Sequence, residues 1–98
     1  MEKKVGLLVR LVAQPGKEQT VADFLVSALP LATAEPDTAT WYAFQMDSHT
    51  FFIFDTFPHE DGRQAHLSGP IASALMAQAD ELLAEAPDIK PIVVLASK

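Results

Sequence analysis

The chain has 98 residues, 49% of them hydrophobic, with a mean hydropathy of +0.15, enough for one domain with one core, so residues 1–98 read as a single unit. Seven basic against thirteen acidic side chains give a formal net charge of -6, and that field repels phosphate backbones and anionic head groups, which argues against nucleic-acid and membrane-surface partners. With no cysteine, disulfides, thiolate metal sites and a thiol nucleophile are excluded. No apolar run approaches the ~20 residues that span a bilayer, and Arg10 breaks the run after Lys3-Lys4 before it reads as a secretory signal, so the expected address is cytoplasmic.

Val5 to Ala13 is aliphatic and β-branched and stops at Gln14-Pro15-Gly16, which predicts a first strand. From Lys17 the spacing becomes helical, with Val21, Phe24, Leu25, Ala28 and Leu29 on one face, and Pro30 should kink or end that helix. Glu35-Pro36-Asp37-Thr38 reads as a turn and Ala39 to Met46 as the second strand. The short Asp47-Ser48-His49 link makes Thr50 to Phe57 the partner in an antiparallel hairpin. Pro58 opens a polar segment whose helical character is weakened by Gly62. Gly69-Pro70 reads as a cap and first helical residue, followed by a helix with Ile71, Leu75, Ala79, Leu82 and Leu83 on one face. Ile89 to Ala96 is the last strand, marked by Pro91 as an edge or bulged one.

The order β-α-β-β-α-β predicts a ferredoxin-like α+β fold, a four-stranded antiparallel sheet with its helices on one face. Its strands are apolar on both sides: Val5, Leu7, Val9 and Leu11 alternate with Leu8 and Val12, and Phe51, Ile53 and Phe57 with Phe52 and Phe54. A sheet covered on one face should alternate apolar with polar. The second face therefore calls for a cover, and a twofold copy of the same face is the simplest, giving a homodimer closed as a shared barrel.

The aromatic strands Trp41-Tyr42-Ala43-Phe44 and Phe51 to Phe57, followed by a segment carrying His66, predict a small apolar pocket for a small aromatic molecule. Arg10 and Asp55 are charges in greasy strands, so they either pair with each other or reach a wet cavity. In the second case Asp55 orients a pocket group and Arg10 holds an anionic oxygen. His66 can accept and donate a proton near neutral pH, although a helical histidine also serves as a packed or capping side chain. Trp41 and Tyr42 point to opposite sides of their strand, and either can stack on a flat ligand and donate a hydrogen bond. A metal site is poorly supported, since His59 and His66 on one helix would stand about 10 Å apart. No nucleotide, phosphate-loop or hydrolase motif is present, and no cofactor is expected.

The stretches Gln14-Pro15-Gly16-Lys17, Trp41-Tyr42-Ala43-Phe44, Phe52-Ile53-Phe54-Asp55-Thr56-Phe57 and Gln64-Ala65-His66-Leu67-Ser68-Gly69-Pro70 together resemble the antibiotic biosynthesis monooxygenase family, dimeric α/β barrels of about this length. The resemblance covers nearly the whole chain and places the family's third-strand acid at Asp55, the aromatic two places on at Phe57, and the usual histidine at His66. It implies oxidation of a quinol or polyketide-like aromatic by dioxygen without metal or flavin. His66 would take the phenolic proton, Trp41 would stack on the ring, and Arg10 or Tyr42 would steady negative charge. The haem-degrading branch is a weaker likeness, because its strand asparagine and helix histidine fall on Val9 and Met76. A ligand-binding or stress-response module without turnover, and an isomerase or decarboxylase using His66 as base, are the competing functions on the same fold.

Overall fold

The computed structural model describes residues Met1–Lys98 in full. Seven elements follow one another as strand β1 (Val5–Val12), helix α1 (Glu18–Ala34), strands β2 (Thr40–Gln45) and β3 (Thr50–Phe57), helices α2 (Glu60–Leu67) and α3 (Pro70–Leu82), and strand β4 (Asp88–Val93). The strands form one sheet in the order β2-β3-β1-β4, every pair antiparallel. This is the expected ferredoxin-like α+β fold, with one more helix than the simple pattern because the Pro58 segment is itself helical.

Register explains which side chains meet. Leu7, Val9 and Leu11 of β1 lie opposite Asp55, Ile53 and Phe51 of β3, and across β3 the partners of Asp55 and Ile53 are Trp41 and Ala43 of β2. These residues share the face covered by the helices, and the core forms there from Leu7, Val9, Leu11, Phe51, Ile53 and Phe57 with Val21 and Leu25 of α1 and Leu75, Ala79 and Leu82 of α3. The buried line of α1 is Val21, Leu25, Ala28 and Ala32, so Leu29 faces outward rather than into the core.

The other sheet face carries Leu8, Val12, Phe52 and Phe54, half-buried, beside exposed Tyr42 and Phe44, with the rings of Phe44 and Phe52 stacked at 5.4 Å. No helix of the chain covers it. Both sheet faces are apolar, as the alternation requires.

Local chemistry sets the ends of the elements. Gly16 turns the chain with φ of 88°, a conformation that costs glycine little. Gln14 donates through Nε2 to the Asp80 and Leu83 carbonyls, 3.0 Å each, satisfying acceptors left free at the end of α3. Pro70 stands at the first turn of α3, where its missing N–H costs nothing. Pro91 lies in β4, an edge strand with solvent on the side away from β1.

Three expectations need correction. Of the two effects expected of Pro30, a kink or an end, it does not end α1, which continues to Ala34. The carbonyl it leaves without a donor belongs to Val26, an exposed residue, so water can satisfy it. Gly62 does not prevent α2. It is buried where α2 meets the loop after α1, and a Cβ there would stand 2.9 Å from the Asp37 carbonyl oxygen. The last strand ends at Val93 rather than Ala96. Helix α2 is held to the sheet by Arg63, whose Nη1 donates to the Gly6 and Ile92 carbonyls at 3.1 and 3.3 Å. The same guanidinium bonds Glu60, and that hydrogen bond, helped by one from Gln64, draws the Glu60 carboxyl down to about 2.

Candidate functional site

The helix-side face of the sheet brings Trp41, Asp55 and His66 together. Asp55 lies in the middle of the sheet with no exposed surface, flanked in register by Leu7 on one side and Trp41 on the other. Burying a carboxylate in such company is costly unless a counter-charge reaches it. Helix α2 supplies one, for the His66 ring packs 5.4 Å from Phe57 and places Nε2 3.0 Å from Asp55 Oδ2. This is a charge contact without the alignment of a hydrogen bond, so both Asp55 oxygens remain without a hydrogen-bonding donor from the protein.

The opposite ring nitrogen is also engaged. Nδ1 lies 2.7 Å from Glu35 Oε1, and Glu35 accepts a further hydrogen bond from the Thr38 hydroxyl at 2.6 Å. An imidazole between two carboxylates is best matched as imidazolium, which donates from both nitrogens. Burial opposes the charge, but the Asp55 and Glu35 carboxylates outweigh it, and the His66 pKa rises above its ordinary value.

Two cavities flank this cluster. The larger, about 380 Å³, lies between α1 and β2, and nine of its ten lining residues are hydrophobic, Leu25, Leu29, Trp41 and Phe51 among them. The smaller, about 190 Å³, is polar and is bordered by Glu35, Asp37, Thr38 and His66. Trp41 walls the apolar cavity. His66 borders the polar one, and Asp55 is buried between them. The Trp41 indole nitrogen and Glu35 Oε2 are, like the Asp55 oxygens, buried without a protein partner.

Arg10 and Tyr42 lie elsewhere. Arg10 is opposite Phe52 in register and Tyr42 opposite Phe54, which puts both on the open face of the sheet. Of the two alternatives for these charges, the pairing of Arg10 with Asp55 does not occur, because the two side chains leave opposite faces. Arg10 instead bonds Glu85 through Nη1 at 2.7 Å, in an exposed pair. Within one protomer Arg10 therefore cannot reach a ligand held beside Trp41. Val9 is packed in the core and has no donor atom, and Met76 is exposed on α3 and lines neither cavity, so neither matches the ligand pattern of the haem-degrading branch.

Sequence reasoning missed Glu35, which it absorbed into a turn. A signal was present. Glu35 is the C-terminal cap of α1 and no basic residue occupies the last turn, yet a carboxylate at that end opposes the helix dipole. An acid so placed needs a positive partner, and His66 provides it.

No protein-family model matches the chain, and no curated protein does. Among solved structures, a protein of unknown function from Nitrosomonas europaea, NE2512, is 53% identical, with a TM-score of 0.96 over 98% of this chain and 93% of that one. The chain belongs to the NE2512 family. Other likenesses are of fold alone. Rv0793 from Mycobacterium tuberculosis aligns with a TM-score of 0.86 at 17% identity, over 96% of this chain and 97% of its own. A second Nitrosomonas europaea protein, provisionally named an antibiotic biosynthesis monooxygenase, aligns with a TM-score of 0.85 at 13% identity, over 94% and 99%.

Proposed function

We propose that the protein takes a small planar aromatic molecule into the cavity between α1 and β2 and oxidises it with dioxygen, using no metal or flavin. The observation that carries this reading is the cavity itself, about 380 Å³, almost wholly hydrophobic and walled by the Trp41 ring. Its size and lining suit a quinol or polyketide-like ring, held by stacking on Trp41. An apolar enclosure strips water from a phenolate or enolate, and the desolvated anion gives an electron to oxygen more readily. For a ring methylene flanked by carbonyl and aromatic groups, one oxygen atom replaces two hydrogens as a carbonyl and the other leaves as water, so no reductant is consumed. In its neutral form His66 is the group proposed to take the proton released as the anion forms, and Asp55 beside it would stabilise the imidazolium that results.

The open sheet face is proposed to meet the same face of a second copy. Hiding a few hundred Å² of Tyr42, Phe44, Phe52 and Phe54 at ~25 cal/mol per Å² is worth several kcal/mol before association costs. Arg10 and Tyr42 would then act at that shared surface. The fold's likeness to a protein provisionally named an antibiotic biosynthesis monooxygenase supports the chemistry at the level of the scaffold.

Binding without turnover is the second reading, favoured by one observation: both His66 nitrogens are taken by carboxylates, and the ring borders the polar cavity rather than the apolar one. Oxygen uptake with a panel of quinols and anthrone-like phenols separates the two. Trp41 is the only tryptophan, so its fluorescence reports occupancy directly. Quenching accompanied by oxygen uptake is the expected result. Saturable quenching with no uptake for any compound selects the binding module, and product formed under argon selects an isomerase or decarboxylase.

A further inference from the structure

The apolar cavity between α1 and β2 borders an edge of the sheet as well as side chains. Strand β2 stands first in the order β2-β3-β1-β4, so one flank of its backbone has no strand beside it. Five consecutive residues of that strand, Trp41 to Gln45, line the cavity. Successive side chains leave opposite faces, so a run that includes both sets meets the cavity along the strand's edge. The hydrogen-bonding phase of β2 follows from its end. Met46 N–H donates to the Thr50 carbonyl at 2.9 Å, and Phe44 and Tyr42 stand opposite Phe52 and Phe54. Bonded and non-bonded pairs alternate along an antiparallel ladder, so Tyr42 and Phe44 direct their N–H and C=O groups to β3, whereas Trp41, Ala43 and Gln45 turn theirs to the open edge. No turn, loop or cap hydrogen bond ends on these three.

An apolar ring laid against this edge would take water from the open N–H and C=O groups and give nothing back. A ring with its own donor and acceptor replaces those bonds. We propose that the cavity selects its ligand through the β2 backbone: the bound molecule is a planar aromatic that carries an N–H or O–H donor beside a carbonyl on one edge, the carbonyl accepting from Ala43 N–H and the donor giving to the Trp41 carbonyl. Ring lactams and ring hydroxy-ketones are the classes that present such an edge. Nine of the ten lining residues are hydrophobic, so side chains supply stacking and enclosure while the main chain supplies polar selection. A ligand without the donor leaves the Trp41 carbonyl dry and unpaired, and a missing hydrogen bond of this kind discriminates more strongly than a missing apolar contact. The volume, about 380 Å³, is that of a small-molecule site. This inference rests on the reading that a small planar aromatic enters the cavity, and narrows it. It does not depend on the oxidation.

Amide hydrogen exchange on the intact ligand-free protein gives the first test. The Ala43 and Gln45 amides are expected to exchange at least tenfold faster than those of Tyr42 and Phe44. Equal protection means that another strand, from a second copy, occupies the edge, and overturns the proposal. The probes are then 2-quinolone and N-methyl-2-quinolone, which share a ring and a carbonyl and differ in the donor. Quenching of Trp41 should show 2-quinolone binding at least tenfold more tightly, and its binding should slow Ala43 amide exchange at least tenfold while Tyr42 and Phe44 stay unchanged. Equal binding of the two overturns recognition by the backbone and leaves the aromatic cavity standing, whereas binding of neither removes both. Ala43→Pro deletes the outward N–H at a position where an edge strand accepts proline, as β4 does at Pro91, and should weaken 2-quinolone at least tenfold. Undiminished binding in that variant counts against the proposal. If Ala43→Pro does not fold, exchange of the Ala43 amide in the wild-type complex decides alone. Oxygen uptake, present or absent, leaves this result untouched.

Discussion

At the scale of single residues, the decisive fact is that His66 is the counter-charge of a fully buried carboxylate. Removing it leaves Asp55 uncompensated, and His66→Ala should cost about 3–5 kcal/mol, read as a drop in the urea midpoint. The pH dependence has a definite sign. The folded-state pKa of His66 lies above the unfolded one, so its contribution to stability is complete below the unfolded value, about 6.5, and is lost as pH rises through the folded value. The urea midpoint should therefore be higher at about pH 6 than at about pH 9, and His66→Gln should flatten that difference. A wild-type midpoint equal at both would contradict the charge assigned to the ring. The sequence made Asp55 and His66 readable as candidates because each is polar in greasy or patterned company. It hid Glu35, which is 31 positions from its partner, a separation that leaves no periodic trace. It also misaligned Arg10, because alternation within a strand fixes a side chain's face only relative to its own neighbours, and the cross-strand register that set Arg10 against Phe52 is a property of the folded sheet.

At the scale of elements, the strands were legible to within a residue or two at their starts, since period-two alternation survives burial on both faces. Helices were harder where glycine and proline obey tertiary contacts rather than propensity. Pro30 is tolerated because the acceptor it orphans belongs to Val26, an exposed residue that water can reach, and Gly62 is required because α2 must press its backbone against the loop that carries Asp37. Gly62→Ala should accordingly destabilise by about 1–3 kcal/mol despite alanine's better helix propensity. The check is chemical denaturation. A more stable Gly62→Ala would mean that the loop yields, and would weaken the view that α2 and the Glu35 loop are packed as one unit. Gly62 and His66 are four positions apart and so share a helix face, which means the contact that excludes a Cβ also seats the imidazole against Glu35.

At the scale of the whole molecule, the uncovered aromatic face is the largest departure from what a solitary small domain tolerates. Sedimentation at micromolar concentration should find a dimer, and Phe52→Glu, which puts a charge in the middle of that face, should yield a folded monomer with its circular dichroism retained. A wild-type monomer would remove the barrel from the functional reading and leave Arg10 and Tyr42 without a place in it. Fold class and two-sided strand patterning could be anticipated from the chain because both are written in local periodicity. An apolar pocket beside Trp41 could be anticipated too, but not that α1 forms its other wall or that His66 opens onto a separate polar cavity, because both depend on angles and offsets that no short motif encodes.

The sheet order carries a consequence for biosynthesis. β1, near the start of the chain, sits in the interior of the sheet with β4 as one neighbour, so a nascent chain emerging from the ribosome exposes one unzipped flank of β1 until residues 88–93 arrive. Such non-local closure is slow, and an open flank rich in leucine and valine is sticky while it waits. Arg63 reaches the Gly6 and Ile92 carbonyls together, fastening the first and last strands where that late seam shuts.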